Sequence, residues 1–297
     1  MKLYKTTFTP LSNFATPLQG DTLFGQLCWV IRYKEGEAKL NLLLSTYETS
    51  PFVVISDGFA SEYVPKPTMP SQYLLEDADK KKQNRKKIWL TLEELQNGKY
   101  TQAKTSEDIG YKEVNASVVK NSINYKTSHT GEGFDPYSEE ERIFSSVDTY
   151  CLVDESQINI DELYEYLQLV GEMGYGKNAS IGKGRFTITS FEEVSLGNTA
   201  STTFMGLCNA NLHNIQIKMV FYDVLTKFGK HGGDLATKSP FKQPLLLART
   251  GFVVVFEEEK TLQYIGKAIQ GHSKHSDVVH QGYSIVIPMK EVEDVFI

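Results

Sequence analysis

Apolar and polar residues alternate almost from the start of the chain, and the alternation over 3–10 predicts a β-strand. Gly20-Asp21-Thr22 opens a different pattern. Leu23, Phe24, Leu27, Cys28 and Ile31 recur at helical spacing, which predicts an amphipathic helix to about Tyr33 with Asp21 as its N-cap. Pro51-Phe52-Val53-Val54-Ile55 has the apolar run of a short buried strand, and Pro65, Pro67 and Pro70 break regular structure after it. Asn159, with Glu162 three residues later, marks a second helix start. Ile160, Leu163, Tyr164, Leu167 and Val170 share one face of it, and Gly174 supplies the stop. Arg185-Phe186-Thr187-Ile188-Thr189 returns to period two.

The order strand, helix, strand, long insertion, helix, strand predicts an α+β unit of the ferredoxin-like kind over 1–195. The small polar stretch 195–203 reads as a linker, and 203–212, 251–256 and 283–288 read as strands of a second unit, 203–297. No internal repeat of fixed period is present. Two stretches stand outside this scheme. Residues 80–87 hold six basic residues in eight and read as a solvated loop. Residues 110–150 are long for a connection, and Ile123-Asn124-Tyr125-Lys126 and Arg142-Ile143-Phe144 flank a Gly- and Glu-rich tip, which predicts a protruding β-hairpin.

Composition narrows the class. The 297 residues, 40% hydrophobic and 23% charged, are those of a folded chain. No apolar run approaches the ~20 residues of a membrane span, and the first residues carry no signal-peptide core. Cys28, Cys151 and Cys208 are far apart and lie in apolar surroundings, as buried thiols in a reducing, cytoplasmic compartment would. Net charge is −6, from 31 Lys+Arg against 37 Asp+Glu, which argues against a free-standing nucleic-acid binder. The charge is segregated, however. Lys227, Lys230, Lys238, Lys242 and Arg249 face a single Asp234 within 227–249, whereas 154–172 carries six carboxylates and no base. Such segregation suits an anionic ligand on one side and a protein neighbour on another.

The most informative segment is Gly174-Tyr175-Gly176-Lys177-Asn178-Ala179-Ser180-Ile181-Gly182-Lys183-Gly184-Arg185-Phe186. Its glycines permit positive φ and close approach of the backbone to a ligand. Successive N–H groups in such a loop form anion-binding nests, and Lys177, Lys183 and Arg185 add charge. The spacing departs from a P-loop, because five residues separate Gly176 from Gly182 and glycine follows Lys183. A dinucleotide fingerprint runs from strand to helix, and this loop runs from helix to strand. A plain helix-to-strand connection remains the alternative.

With this loop the sequence resembles the repeat-associated mysterious protein (RAMP) superfamily of CRISPR systems, and more narrowly the fourth-subunit family of type III-A Csm effector complexes. The matching stretches are 20–29, 51–59, 64–67 and the loop 173–186, followed by Lys227-Phe228-Gly229-Lys230-His231-Gly232-Gly233, Pro240-Phe241-Lys242-Gln243-Pro244, 264–267 and Val279-His280-Gln281-Gly282-Tyr283. The resemblance implies two ferredoxin-like (RRM-like) domains with an inserted thumb β-hairpin at 110–150. It implies a non-catalytic antiviral-defence subunit that grips the 5′ handle of the guide RNA. Its partners would be the large polymerase/cyclase-like signalling subunit and the backbone RAMP subunit, with target RNA met indirectly and no membrane. The implied RNA-binding set is Gly174, Tyr175, Gly176, Lys177, Asn178, Ser180, Gly182, Lys183, Gly184 and Arg185, with Lys230, His231, Lys242, His280 and Tyr283. Tyr175 and Tyr283 are candidate stacking faces for splayed bases, with burial in the core as the alternative.

An enzymatic reading is weighed beside this one. Processing ribonucleases of the superfamily place a histidine base on or near the first helix, and 11–33 contains no histidine. Over a hundred residues also follow the glycine-rich loop instead of the loop closing the chain. His272, His275 and His280 have the look of loop histidines more than a metal site, and Asp21 and Asp57 that of caps or turn residues. No catalytic residue, cofactor or metal is assigned. The equivalent subunit of another type III subtype and a stand-alone RAMP endoribonuclease stay open.

Overall fold

The computed structural model describes residues 1–130, 133–197, 199–237 and 240–290. The first strand, β1 (Lys2–Pro10), is paired antiparallel on both sides, with β3 (Val147–Val153) and β4 (Phe186–Val194). With β2 (Val53–Ile55) the sheet runs β2-β3-β1-β4, and Phe59–Ala60 adds a short segment beside β3. Helix α1 (Gly20–Glu35) lies between β1 and β2, and α2 (Ile160–Met173) joins β3 to β4; the expected elements are present, and β3, at the end of the long insertion, is a strand the sequence pattern did not mark. Leu23, Phe24, Leu27 and Ile31 are buried on α1, which packs against α2 and β2.

The helix ends have separate causes. The Asn159 side chain caps α2 by accepting from the Asp161 N–H, and Gly174 ends it at φ +92, returning its N–H to the Val170 carbonyl at 2.9 Å. The start of α1 differs from expectation. Asp21 is not its cap but a buried residue of the first turn, and the capping position, Gln19, contributes no side-chain bond. Asp57 does that work from β2's far end, its Oδ1 accepting from the Gly20 N–H at 2.8 Å. A carboxylate favours the positive end of a helix from whatever part of the chain supplies it.

Beyond the first unit, β5 (Ser201–Gly206), β6 (Met219–Phe221), β7 (Val253–Lys260) and β8 (Tyr283–Pro288) form a second antiparallel sheet in the order β6-β7-β5-β8, with Tyr264–Gly266 outside β8. The strand order repeats that of the first sheet. Among the described residues, however, no α-helix follows Met173. The connections 207–218 and 267–282, with Asn and Gly at positive φ at Asn214 and Gly271, run as loops.

Period two then decides which face is covered. Met205, Val253, Ile285 and Ile287 join the main core together with Leu27, Val54 and Leu152, whereas Phe204, Val254 and Val286 turn to a smaller cluster on the opposite face. The second sheet therefore buries one face against the first unit. The stretch read as a linker is anchored as well: Leu196 is buried, and its carbonyl accepts from Gln96 Nε2 at 2.6 Å.

The segment 110–150 contains a hairpin, but its first strand is Glu113–Lys120 and not the expected Ile123–Lys126; it pairs with Tyr137–Phe144 from Glu113↔Phe144 to Lys120↔Tyr137. The basic run carries two short helical turns, Ala78–Lys80 and Lys81–Asn84, and its lysines are mostly exposed. Cys28, Cys151 and Cys208 are free thiols, and no described helix is long and apolar enough to cross a membrane.

Candidate nucleic-acid interface

The glycine-rich loop leaves α2 at Gly174 and enters β4 at Phe186. Gly174, Gly176, Asn178, Gly182 and Gly184 all take positive φ. The loop is tied down along its length, which sets it apart from a slack connection. Tyr175 N–H donates to the Gly184 carbonyl and Gly184 N–H to the Asn13 carbonyl, each at 2.8 Å. Lys177 N–H donates to Thr16 Oγ1 and Arg185 N–H to Ser12 Oγ, each at 2.9 Å. Two glycines are required by this packing: a Cβ at Gly184 would lie 2.0 Å from the Tyr175 carbonyl oxygen, and one at Gly174 would lie 2.5 Å from that of Lys183. At Gly182 a Cβ would meet nothing within 4 Å. The apex is a short turn, Ala179–Ile181, with Ser180, Ile181 and Gly182 exposed. The N–H groups of Asn178, Ala179 and Ser180 have no acceptor among the described residues, an arrangement suited to an anion.

The loop's lysines have partners that the sequence did not announce. Lys183 Nζ lies 2.6 Å from Glu141 Oε2, and Lys177 Nζ lies 2.5 Å from Glu139 Oε1. Asn178 donates to Glu139 at 2.7 Å, Asn13 to Glu141 at 2.9 Å, and Lys120 reaches both carboxylates. Hydrogen bonds from Lys120 and Lys177 hold the Glu139 carboxyl down at about 2. Those from Lys183 and Asn13 likewise lower Glu141. The hairpin's pleat explains the selection, since Glu139 and Glu141 turn toward the loop and Glu140 is exposed on the other side. Arg185, exposed, has no carboxylate partner among the described residues.

A second sector meets the loop at the start of α1. Gln19 N–H donates to the Tyr175 hydroxyl at 2.9 Å, and Gln19 Oε1 accepts from Lys227 Nζ at 3.3 Å. Lys227 stands on a two-stranded ribbon, Val224–Lys227 with Leu245–Ala248. It also pairs with the buried Asp21 and donates to Thr22 at 2.8 Å, while His280 Nε2 lies 3.4 Å from the other Asp21 oxygen. Burial opposes ionisation of Asp21, but Lys227 and His280 outweigh it and hold the carboxyl below its ordinary range. Asp57 lies on the other side of the balance. Burial, then the charge of Asp21, push it up to about 6.

The remaining expected residues are divided between surface and interior. Lys230 is exposed, its ammonium 5.0 Å from the centroid of the Phe241 ring. Lys242 is half-buried, and burial lowers it. His231 is buried against Ser273, with Nε2 and Oγ 2.9 Å apart, and His280 is buried against Asp21. Lys238 lies outside the described residues. His272 is not an incidental loop residue but an interior one, pushed down to about 4 by burial and by Lys242. No described group of three or more His, Cys, Asp or Glu is arranged to hold a metal ion.

Both tyrosines correct the stacking expectation. Tyr175 is 0% exposed, and its hydroxyl donates to the Pro17 carbonyl at 2.7 Å while accepting from Gln19. Tyr283 is 4% exposed, lies edge-on to Tyr47 and donates to the Glu48 carbonyl at 2.6 Å. A ring flanked by glycines reads as accessible in sequence, but here the small neighbours let the chain fold back over it. The residues missed from sequence are Gln19, Glu139, Glu141, Phe228 and Phe241, whose partners are distant in the chain or whose exposure leaves no pattern, whereas Asp57, expected as a cap or turn residue, does cap α1.

No protein-family model matches the chain, and neither does any curated protein. Solved structures do match. A chain of the crystal structure of a Csm1–Csm4 cassette in complex with AMPPNP superposes with a TM-score of 0.61 at 18% identity, covering 99% of this chain and 100% of that one. The cassette in complex with cA4 gives 0.59 at 16% identity, covering 98% and 100%. A chain of a Csm3–Csm4 subcomplex of the type III-A CRISPR-Cas interference complex gives 0.58 at 15% identity, again covering 98% and 100%. Csm4 is the component common to cassette and subcomplex. The fold is that of Csm4. On this Csm4 fold the glycine-rich loop, the hairpin carboxylates and the ribbon converge on the N-terminus of α1, with Gln19 touching both the loop's Tyr175 and the ribbon's Lys227.

Proposed function

We propose that the chain is the subunit of a type III-A CRISPR effector complex that binds the 5′ handle of the guide RNA, joining the large signalling subunit to the first backbone subunit. The observation that carries this reading is the superposition along the whole chain on structures solved with Csm1 or with Csm3. The fixed glycine-rich loop, with free N–H groups at its apex and Arg185 beside them, supports an anionic ligand. In this reading the two sheets are paired ferredoxin-like domains, 1–195 and 203–297, and the hairpin is the thumb. The subunit holds RNA without cutting it, in an intracellular complex. His231 and His280 are both enclosed, which suits a structural role better than a general base at an open surface.

The test is to purify the tagged chain from its host and identify what accompanies it. Guide RNAs sharing one 5′ end, together with a Csm1-like and a Csm3-like subunit, are expected. Recovery of the chain alone with cleavage of repeat RNA would overturn the reading in favour of a processing ribonuclease.

A further inference from the structure

With Tyr175 and Tyr283 inside the core, the interface described so far offers backbone groups and charge but no aromatic face. Two rings elsewhere are largely exposed. Phe228 is 75% exposed and Phe241 is 67% exposed, among the most exposed aromatic residues of the second half. They are not on a loose loop. The ribbon continues beyond its regular strands through Lys242 N–H to the Gly229 carbonyl at 3.0 Å, a bridge between Lys230 and Phe241, and His231 N–H to the Pro240 carbonyl at 2.7 Å. Both phenyls therefore stand on paired backbone, where little ordering entropy remains to be lost when a ligand arrives.

Charge and position indicate the occupant. The exposed cation between the phenyls is Lys230, two residues beyond Phe228 and bridged to Phe241 across the ribbon, whereas Lys227 and Lys242 turn inward. Lys230 already sits over the Phe241 face at 5.0 Å. Aromatic faces interleaved with cations on a basic segment match single-stranded nucleic acid, whose bases stack while its phosphates need counter-charge. A hydrophobic protein partner has no such use for the lysines, which are depleted at the centre of protein interfaces. At its base the ribbon is joined to the glycine-rich loop through Lys227, Gln19 and Tyr175.

We propose that Phe228 and Phe241 form a base-stacking platform for single-stranded RNA, with Lys230 beside them for its phosphates. The proposal rests on reading the chain as an RNA-binding subunit and adds the place where bases, as distinct from phosphates, are held.

The experiment uses the full chain, alone and assembled with its complex partners, and short single-stranded RNAs carrying 2-aminopurine at successive positions. Wild type is expected to quench the fluorophore at one or two positions. Phe228→Ala and Phe241→Ala are each expected to abolish quenching at one position and weaken binding roughly 5- to 150-fold, the range of one lost base stack. Phe→Leu at either site keeps the apolar volume and is expected to behave as alanine does, whereas Phe→Trp keeps quenching. Unchanged melting of the variants shows that they fold. Wild-type affinity and quenching in the alanine variants would overturn the platform, and if those variants also lost capture of a partner subunit, the surface is a protein dock. Absence of RNA binding by wild type in both states would overturn the RNA-binding reading itself, whereas binding reduced by Arg185→Ala but untouched at both phenyls would overturn the platform alone.

Discussion

The ammonium of Lys183 and the carboxylate of Glu141 are 2.6 Å apart, and that carboxylate is only 1% exposed. The glycine-rich loop thus shares its positive charge with the hairpin, and Lys177 is held in the same way by Glu139. The three basic residues of the loop are therefore not equivalent. Arg185→Ala is expected to reduce the magnitude of the salt slope of RNA binding by about one. Lys177→Ala and Lys183→Ala are expected to change it little in the isolated chain. The Glu139→Gln, Glu141→Gln double variant releases both lysines and is expected to steepen the slope by up to about two. Affinities measured over a series of salt concentrations decide the order, and an equal loss for all three single variants would contradict it.

Gly182 and Gly184 separate ligand access from folding. Alanine at Gly184 collides with the Tyr175 backbone, so Gly184→Ala is expected to lose its cooperative melt or to melt far below wild type. Gly182→Ala has room, and only its positive φ opposes it, at about 1–2 kcal/mol. Gly182→Asn, which tolerates that backbone region, is expected to melt close to wild type while its side chain obstructs the apex. Melting curves and RNA titrations of these three variants check the distinction. Undiminished RNA binding by folded Gly182→Asn would place the RNA away from the apex.

Tyr175 binds the loop to the start of α1, and its substitutions should register as stability. Tyr175→Ala removes a fully buried ring, a loss of about 3–5 kcal/mol for large aromatic residues. Tyr175→Phe leaves the Gln19 N–H without its acceptor, at about 1–3 kcal/mol. Both variants are expected to unfold at lower urea, the alanine first. Equal midpoints for wild type and Tyr175→Phe would show that the hydroxyl contributes nothing.

The raised Asp57 carboxyl makes a pH prediction whose sign comes from linkage. In the unfolded chain Asp57 titrates near the ordinary ~3.9, whereas in the folded protein it titrates at about 6. Between those values the folded state holds a proton that the unfolded state has released, so this group's contribution is fully present below ~4 and is lost as pH rises through about 6. His272, pushed down to about 4, acts in the opposite sense over the same window. The comparison is therefore made against Asp57→Asn, in which His272 is unchanged. Asparagine retains an acceptor for the Gly20 N–H and carries no charge beside Asp21. Relative to wild type, the variant is expected to gain about 2–3 kcal/mol between pH 4 and pH 7. A difference in urea stability that stays flat across that range would refute it.

What could be read from the sequence was what local chemistry encodes. Asn159 and Gly174 bracket α2 because cap and stop lie within the helix's own neighbourhood, and the alternation at 283–288 returned a strand with those bounds. Asp21 was misread because the residues around it, Gly20 and Thr22, are those of a helix start, while its partner Lys227 is 206 positions away. The absence of α-helices after Met173 among the described residues was equally hidden, since a repeated strand order does not require repeated helical crossovers. Among site residues, the charge of Lys177 and Lys183 was legible and its neutralisation was not: Glu139 and Glu141 become relevant only when the hairpin's register brings alternate carboxylates over the loop.

The core shared between the two sheets also sets an order of events during synthesis. Tyr47 packs on Tyr283, and the backbone of Ile55 bonds to Gln281 at both its N–H and its carbonyl. The first unit therefore leaves the ribosome with this face bare and stays so until the last strand, β8, emerges. At ~5–20 residues per second the interval between residues 195 and 288 is roughly 5–20 s. During that interval the nascent chain exposes apolar surface of the kind that chaperones exist to cover, and a stop before β8 leaves that surface exposed.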